Sequence, residues 1–119
     1  MDVKELGFEL AHIGINPAAD AAAADTVRLL CALFGCQCRE TEGSYFLNEQ
    51  FEVMKAQGRG RLGHIAIRTA DAGAARAYLE SMGAEFDESS AMYNDEGRLQ
   101  VIYMRGDIAG FAFHLAQKK

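Results

Sequence analysis

Apolar and polar residues alternate along residues 62–69, a stretch near the middle of the chain. Ile65 and Ile67 alternate with His64, Ala66 and Arg68. Alternation with a period of two predicts a half-buried β-strand, because successive side chains of a strand point to opposite faces. The stretch therefore predicts a strand with one apolar face and one face that carries a histidine and an arginine.

A second stretch, residues 8–16, repeats this pattern, and a helix signal follows each of the two stretches. It holds His12, which precedes His64 by 64 − 12 = 52 residues. Two similar patterns at this separation indicate two copies of one structural unit. The two histidines then occupy equivalent positions of the repeat.

The last predicted strand of each copy also carries a polar side chain among apolar ones. Residues 111–117 hold His114, and their counterpart, residues 51–56, holds Glu52. All three histidines of the chain and this glutamate therefore fall at equivalent strand positions. A carboxylate is rarely buried without a partner, because its desolvation costs about several kcal/mol. Glu52 is thus either a functional residue or a solvent-facing residue of an edge strand.

The full pattern predicts the order strand–helix–strand–strand–strand, twice. Pro17 fits the start of the first helix or the turn just before it, and Gly35 fits its end. Asp71 is the predicted N-cap of a second helix that ends at Gly83. The inward stripes are Val27, Leu30, Cys31 and Phe34 in the first helix, and Ala74, Tyr78 and either Leu79 or Met82 in the second. The predicted strands are residues 8–16, 36–42, 44–48, 51–56, 62–69, 85–92, 99–105 and 111–117.

Length and composition indicate one globular domain. The chain has 119 residues, enough to bury one core but too few for two complete domains. Its net charge of −5 provides no basic surface of the kind that binds nucleic acid. No apolar run approaches the about 20 residues of a membrane-spanning helix, and the first residues do not resemble a signal peptide. We therefore expect neither a nucleic-acid nor a membrane partner and, by default, a cytoplasmic location.

The three cysteines, Cys31, Cys36 and Cys38, do not suggest a disulfide framework, because their number is odd. The Cys-x-Cys spacing of the last two is compatible with a metal site, but no second thiol pair exists to complete a tetrahedral one. We expect reduced cysteines with a structural role in a reducing compartment.

With these patterns, the chain resembles the vicinal oxygen chelate superfamily, whose members include glyoxalase I, methylmalonyl-CoA epimerase, extradiol dioxygenases and bleomycin-resistance proteins. The resemblance spans essentially the whole chain. It implies an α+β fold in which two βαβββ modules, residues 8–56 and 61–118, form a curled mixed-sheet cup within one domain, residues 1–119. It also implies a divalent metal ion at the bottom of the cup, bound by the first and last strand of each module. The residues at those positions are His12, Glu52, His64 and His114.

The second half is most similar to the glyoxalase-like domain at the C-terminus of some bifunctional 4-hydroxy-2-oxoglutarate/2-keto-3-deoxyphosphogluconate aldolases. Residues 63–69, 83–87 and 110–115 carry this likeness. The aldolase barrel with its Schiff-base lysine has no counterpart in the chain, so the resemblance does not imply aldolase activity. The chain departs from the superfamily at His114, where glyoxalase I, the epimerase and the extradiol dioxygenases usually have a carboxylate.

Three imidazoles and a carboxylate suit Zn²⁺, Ni²⁺, Fe²⁺, Co²⁺ or Mn²⁺, and ligand type does not select among these ions. Each histidine also has a simpler interpretation, as a hydrogen-bonded residue of a half-buried sheet. Arg68 shares a predicted face with His64, where it either binds an anionic small-molecule substrate or forms a salt bridge at the rim. Further candidates for the lining of the cup are Tyr45, Tyr103, Met54, Met92 and Met104.

The resemblance implies a metal-dependent lyase or isomerase of the glyoxalase type that acts on a small oxo or hydroxy acid or a thioester. Such an enzyme removes a proton next to a carbonyl and stabilises an enediolate, and Glu52 is the candidate base. The alternative is a non-catalytic module that binds a small ligand or regulates an aldolase pathway. Dioxygenase chemistry is disfavoured, because a site of two histidines and one carboxylate needs a carboxylate at His114. We also expect a homodimer, because a βαβββ module leaves open sheet edges.

Overall fold

The computed structural model describes residues 2–18 and 23–119, which form an eight-stranded mixed sheet, two α-helices and a short 3₁₀ helix, Val3–Leu6. The predicted α+β class and the repeated strand–helix–strand–strand–strand order are confirmed. Within this part of the chain, neither helix is long and apolar enough to cross a membrane. The helices are α1 (Ala23–Phe34) and α2 (Ala72–Ser81), and the strands are β1 (Glu9–Ile15), β2 (Cys38–Glu40), β3 (Ser44–Leu47), β4 (Phe51–Met54), β5 (Gly63–Thr69), β6 (Phe86–Tyr93), β7 (Leu99–Met104) and β8 (Phe111–Gln117).

One open sheet runs through both repeats, in the strand order β2-β3-β4-β1-β5-β8-β7-β6. Each repeat contributes four adjacent strands. Its first and last strands pair in parallel, β1 with β4 and β5 with β8. The repeats meet where β1 and β5 pair antiparallel. The four strands that carry the candidate metal ligands, β4, β1, β5 and β8, are therefore neighbours at the centre of the sheet.

Both helices cover the same face of the sheet. Helix α1 packs against Val53 of β4, and α2 packs against Ile102 of β7 and Leu115 of β8. The strand pairing places these three residues on the same face of the sheet. Fully burying each of these side chains contributes about 1.5–3 kcal/mol. Glu52 and His114 directly precede Val53 and Leu115, so they point to the face without helices. This uncovered face, called the open face below, carries His12, Gly14, Glu52, His64, Ala66 and His114.

The sequence signals predict most of the caps and inward-facing residues of the two helices correctly. Asp71 caps α2 as predicted, because its side chain accepts a hydrogen bond from the Ala74 amide. Of the two alternatives for the inward stripe, Leu79 packs into the core and Met82 is exposed. The prediction is wrong for Phe34, which is 72% exposed, because only the earlier turns of α1 contact the sheet. Pro17 lies in the connection before α1, and residues 19–22 of that connection lie outside the described residues.

The three cysteines lie around the end of α1 as free thiols. Cys31 and Cys36 pack against the apolar cluster between α1 and the sheet, while Cys38 at the start of β2 is exposed. Burial raises the pKa of the Cys31 thiol most, and the neighbouring thiols of Cys36 and Cys38 raise it further. A thiol with a raised pKa is a weak nucleophile at neutral pH, which agrees with a packing role for Cys31.

Candidate metal centre

A row of paired residues across three strands brings two of the candidate ligands together. Glu52 of β4 pairs with Gly14 of β1, and Gly14 pairs in turn with His64 of β5. A Cβ atom at Gly14 would lie 2.0 Å from Cε1 of His64. The imidazole therefore occupies the space that a side chain at position 14 would fill. Glycine at this position lets His64 reach the carboxylate on the strand beyond it.

The adjacent row holds the other two histidines. His12 of β1 pairs with Ala66 of β5, and Ala66 pairs with His114 of β8. A β-bulge between Leu10 and His12 shifts the register of β1. Leu10 pairs with Ile67, and without the extra residue His12 would point to the same helix-covered face as Leu10. The bulge thus turns His12 onto the open face.

Three of the predicted ligands form a triangle of contacts. Nε2 of His12 lies 3.2 Å from Nε2 of His64 and 3.3 Å from Oε1 of Glu52. The third side, between Nε2 of His64 and Oε1 of Glu52, measures 3.0 Å. The ring of His114 lies 5.5 Å from that of His64 and 5.8 Å from that of His12. The structure therefore brings all four predicted metal ligands together within one chain.

This arrangement fits a metal ion. Metal–ligand bonds of about 2.0–2.2 Å place tetrahedral ligand atoms roughly 3.3–3.6 Å apart, close to the contacts of the triangle. The ligand atoms of the three histidines all lie within 4.8 Å of one another. Both nitrogens and the oxygen of the triangle carry lone pairs, so their mutual approach requires protons or a cation among them. The three-histidine cluster is thus chemically suited to a divalent cation, with the carboxylate of Glu52 against two of its members.

The backbone of the next residue orients His114 for ligation. Its Nδ1 donates a hydrogen bond to the carbonyl oxygen of Leu115, at 3.1 Å, which leaves Nε2 with a free lone pair. Burial lowers the pKa of His114 to about 4, although the hydrogen bond to Leu115 opposes this shift. The imidazole is therefore neutral near pH 7, and no proton has to leave before it can bind a metal.

Glu52 is held as a carboxylate. Burial raises its pKa, but hydrogen bonds from His12, His64 and Ser44 outweigh burial and bring the pKa well below the ordinary value of 4.5. Oγ of Ser44 donates to Oε2 at 2.7 Å, so the oxygen that contacts the imidazoles is Oε1. Partners of this kind orient a ligand and are part of most metal sites. Ser44 therefore positions the carboxylate.

Aromatic rings border the cluster on both sides. Phe46 of β3 lies edge-on to His12, with ring centroids 5.4 Å apart. Tyr103 of β7, the equivalent strand of the second repeat, lies 4.6 Å from His114. Burial, followed by the charge of Glu52, raises the pKa of the Tyr103 hydroxyl, which therefore stays protonated at neutral pH. The two repeats thus build matching aromatic walls around the donors.

Some predicted residues lie elsewhere. Arg68 pairs with Glu9 across β1 and β5, at 3.3 Å, which is the rim salt bridge considered above. Its role in substrate binding stays a prediction. Tyr103 lies beside the cluster, but Tyr45 and Met104 pack on the helix-covered face, so the prediction that they line the cup is wrong. Each is the direct neighbour of Phe46 or Tyr103 along its strand, so its side chain points to the opposite face of the sheet.

Four further residues of the site escaped the sequence analysis. Gly14 carried a usable signal, because glycine inside a strand often marks the close approach of another group. Ser44, Phe46 and Arg59 carried none, because each acts through partners that are distant in sequence or lie on other strands. The guanidinium of Arg59 lies over the ring of Tyr103, 4.8 Å from its centroid.

A polar cleft of about 760 Å³ lies away from this cluster, between the start of α2 and the turn from β6 to β7. Arg76, Arg98 and Lys118 are among its lining residues, and none of the four candidate ligands is. Arg76 already pairs with Glu80 and Glu88. Because all four candidate metal ligands lie on the open face, that face, and not this cleft, is the candidate functional site.

We expect Gly14→Ala to disrupt the donor cluster. The new methyl group would overlap the His64 ring, so the ring has to move away from Glu52 and His12. Overpacking of this kind typically costs about 1–3 kcal/mol of folding stability, and we expect Zn²⁺ affinity to fall at least about 10-fold. Gly43→Ala is the matched control, because a Cβ there meets no atom within 4 Å. Chemical denaturation and Zn²⁺ titration would show the effect, and equal values for both variants would contradict it.

Comparisons with protein-family models and with curated protein sequences find no match for the chain. Comparison with solved structures does find similar folds. Methylmalonyl-CoA epimerase from Mycobacterium tuberculosis matches with a TM-score of 0.71 and 16% identity, over 100% of this chain and 93% of that one. A hypothetical protein from Bacillus halodurans C-125 matches with a TM-score of 0.64 and 17% identity, over 94% and 95% of the two chains.

Methylmalonyl-CoA epimerase from Streptomyces coelicolor, in complex with 2-nitronate-propionyl-CoA, is also similar. Its TM-score is 0.61 at 17% identity, over 92% of this chain and 96% of that one. At such identities the likeness establishes the fold alone. The chain has the glyoxalase-like α+β fold that the sequence predicted, and the closer likeness to the aldolase-associated domain stays a prediction.

Proposed function

We propose that the chain is a metal-dependent enzyme that isomerises or epimerises a small oxo or hydroxy acid, or an acyl thioester, next to a carbonyl group. The observation that carries this proposal is the convergence of three imidazoles and one carboxylate on the open face. His12, Glu52, His64 and His114 would hold the ion. A divalent ion such as Zn²⁺, Ni²⁺, Fe²⁺, Co²⁺ or Mn²⁺ would supply Lewis-acid stabilisation of the charge that develops on the carbonyl oxygen.

Glu52 is the proposed base. It is the single carboxylate among the four proposed ligands, and its hydrogen bonds keep it ionised. Ser44 donates to Oε2, and Oε1 is the oxygen that would hold the ion. To take the proton from the carbon next to the carbonyl, Oε1 would therefore have to leave the ion. A carboxylate with a low pKa is a weak base, so it suffices only for a C–H bond that its surroundings make acidic.

The substrate class has support from the solved structures. The epimerases of similar fold include complexes with methylmalonyl-CoA and with 2-nitronate-propionyl-CoA. These ligands belong to those proteins, but they make acyl-CoA thioesters a class to test here beside free oxo and hydroxy acids. The walls formed by Phe46 and Tyr103 would shield the reacting carbon from water.

Two measurements on the wild-type protein, purified without a histidine tag, would test the proposal. Elemental analysis and titration should find one divalent ion per chain. The loaded protein, incubated in deuterated water with a panel of oxo acids, hydroxy acids and acyl-CoA thioesters, should exchange the hydrogen next to a carbonyl, which NMR would detect. Absence of metal binding would overturn the metal centre. Metal binding without hydrogen exchange on any substrate would overturn the proposal that the chain is an enzyme.

A non-catalytic ligand-binding or regulatory module, connected with an aldolase pathway, is the second candidate. One observation favours it: both oxygens of Glu52 are already hydrogen-bonded, and the donor set has no second carboxylate. Epimerisation returns the proton to the opposite face of the carbon, which calls for a second acid–base group. Tight metal and ligand binding without deuterium exchange would select this candidate.

We propose a homodimer with one domain per chain, its two modules being residues 8–56 and 61–118. The sheet ends at β2 and β6, and unpaired edges of this kind are commonly covered by another chain. All four donors come from a single chain, so dimerisation is not needed to complete the site. Light scattering should give twice the chain mass of 13.0 kDa. A mass near 13.0 kDa at micromolar concentration would contradict the dimer. The cytoplasmic location stays a prediction from sequence.

A further inference from the structure

The turn that joins the two modules holds Arg59 in a fixed position. The side-chain amide of Asn16 donates from Nδ2 to the carbonyl oxygen of Gly60, at 2.8 Å, and its Oδ1 accepts from the Gly58 amide, at 3.0 Å. Asn16 thus holds the backbone on both sides of Arg59. Gly60 has a φ of +84°, and a Cβ there would lie 1.9 Å from the carbonyl oxygen of Gly63. The turn is therefore closely packed against β5.

The side chain of Arg59 extends from this turn to the edge of the donor cluster. Its Cζ lies 4.8 Å from the ring centroid of Tyr103. That ring lies 4.6 Å from the ring of His114 and 6.3 Å from that of His64. One aromatic ring therefore separates the guanidinium from the imidazoles. The side chain is 45% exposed, which leaves it accessible to a ligand on the open face.

A second arginine occupies the equivalent wall, and it shows what distinguishes Arg59. Arg39 lies 4.6 Å over the ring of Phe46, which in turn contacts His12. Both its Nε and its Nη2 bind Glu49, at 2.8 and 2.7 Å. This bidentate pair already uses the carboxylate-binding edge of the Arg39 guanidinium.

Arg59 keeps its carboxylate-binding capacity. Among the described residues, its one ion-pair contact joins Nη2 to Oδ2 of Asp87, at 3.1 Å. The other oxygen of Asp87 accepts from the amide and hydroxyl of Ser89, at 3.0 and 2.6 Å. Asp87 therefore engages Arg59 through one oxygen only, and Nε and Nη1 have no partner in this part of the chain. A guanidinium with free donors and a ring against one face is suited to a carboxylate.

From these contacts we propose that Arg59 recognises a carboxylate group of the substrate, beside the His12–His64–His114 cluster. The substrate is then a small acid, or an acyl thioester that also carries a free carboxylate, and not a neutral carbonyl compound. This inference rests on the proposed function, because it assigns a substrate group to the same site. The role predicted for Arg68 stays a prediction. Arg59 is assigned here because its guanidinium lies over Tyr103, whose ring contacts His114, whereas Arg68 forms its ion pair with Glu9.

Calorimetry with malonate as the probe would test this assignment on the Zn²⁺-loaded protein. We expect Arg59→Gln to weaken malonate binding roughly 10- to 100-fold, because it removes a charge-assisted hydrogen-bond pair. Arg39→Gln removes the same charge on the opposite wall and should change the affinity by less than about 2-fold. Malonamide, the neutral counterpart of malonate, should bind the wild type and Arg59→Gln equally. Arg59→Lys should recover only part of the affinity, because an ammonium group lacks the bidentate edge.

Three results would overturn the assignment: no malonate binding by the wild type, equal affinity in the wild type and Arg59→Gln, or equal losses in Arg59→Gln and Arg39→Gln. NMR of the wild type provides a second test, which needs no variant and therefore does not depend on whether a variant folds. Malonate should shift the Nε–H signal of Arg59 and leave that of Arg39 in place, and the reverse would overturn the assignment. Zn²⁺ titration of the same samples separates the two proposals. Loss of Zn²⁺ binding in the wild type would reject the metal centre, whereas the Arg59 signal in metal-free protein still reports on the carboxylate.

Discussion

His64→Ala is expected to lower the affinity of the protein for Zn²⁺ or Co²⁺ by at least about 100-fold. Loss of an outer partner of a ligand typically costs about 10- to 100-fold in metal affinity, so loss of a ligand itself should cost more. His64 is the most buried member of the triangle: the residue is only 3% exposed, and its Nε2 contacts both Nε2 of His12 and Oε1 of Glu52. Competition with a chromophoric chelator would measure the change.

Ile65→Ala is the matched control for His64→Ala. Ile65 follows His64 in β5 but points to the helix-covered face, so its truncation weakens packing without removing a donor. We expect Ile65→Ala to lower the stability to unfolding and to keep the metal affinity within about 3-fold of the wild type. If His64→Ala retained wild-type affinity while circular dichroism showed a folded protein, the metal centre proposed here would be excluded.

Glu52→Gln is expected to reduce hydrogen exchange next to the substrate carbonyl by about 10²- to 10⁴-fold, the usual contribution of a general base. Glutamine preserves the shape of the side chain and one donor oxygen, but it has no negative charge and does not accept the proton. Metal affinity should fall less than in His64→Ala, because three imidazoles remain. NMR in deuterated water, with each variant loaded to the same metal content, would measure the exchange rate.

Glu49→Gln controls for the loss of one negative charge near the site. Glu49 pairs with Arg39 outside the donor cluster, at 2.7 Å, so its replacement leaves all four proposed ligands in place. We expect its exchange rate to stay within about 3-fold of the wild type. Equal exchange by the wild type and Glu52→Gln would exclude Glu52 as the base. Equal losses in the two variants would mean that general charge, and not proton transfer at Glu52, governs the rate.

The proposed carboxylate recognition by Arg59 changes how the two walls of the site are understood. Phe46 and Tyr103 occupy equivalent strands, and an arginine lies over each ring. On one wall the arginine is saturated by Glu49, and on the other it keeps free donors. A substrate would therefore meet two similar surfaces that differ in the number of free guanidinium donors. This asymmetry would orient the substrate over the cluster and present one carbon to Glu52.

The local pattern of the chain was enough to locate the strands, the helix cap at Asp71 and the four candidate donors. Alternation and capping depend on residues within a few positions of each other, so they are visible before any tertiary contact exists. The repeat added a longer correlation, because it placed His12 with His64 and Glu52 with His114. These residues were therefore identified as a set from sequence alone.

The partners of that set were decided by tertiary structure. Which residue lies opposite His64 depends on the register of β1 against β5, and register involves residues about fifty positions apart. Only this pairing shows that Gly14 provides the space for the imidazole. The hydrogen bond from Ser44 to Glu52 and the stacking of Arg59 on Tyr103 likewise join separate elements. Hydrophobic alternation contains no information about such pairs.

His12 shows where the two kinds of information meet. The sequence by itself determined that a histidine lies in the first strand, equivalent to His64 in the second repeat. Alternation gives two answers for His12: counted from Ile13 and Ile15 it lies on the open face, and counted from Leu10, whose partner is Ile67, it lies on the helix-covered face. The bulge after Leu10 decides between these answers, and it forms only when β1 pairs with β5. Bulges depend on the fit of two strands to each other, so the pattern of either strand alone does not specify them. The sequence thus determined the donors, and strand pairing decided that they face one another.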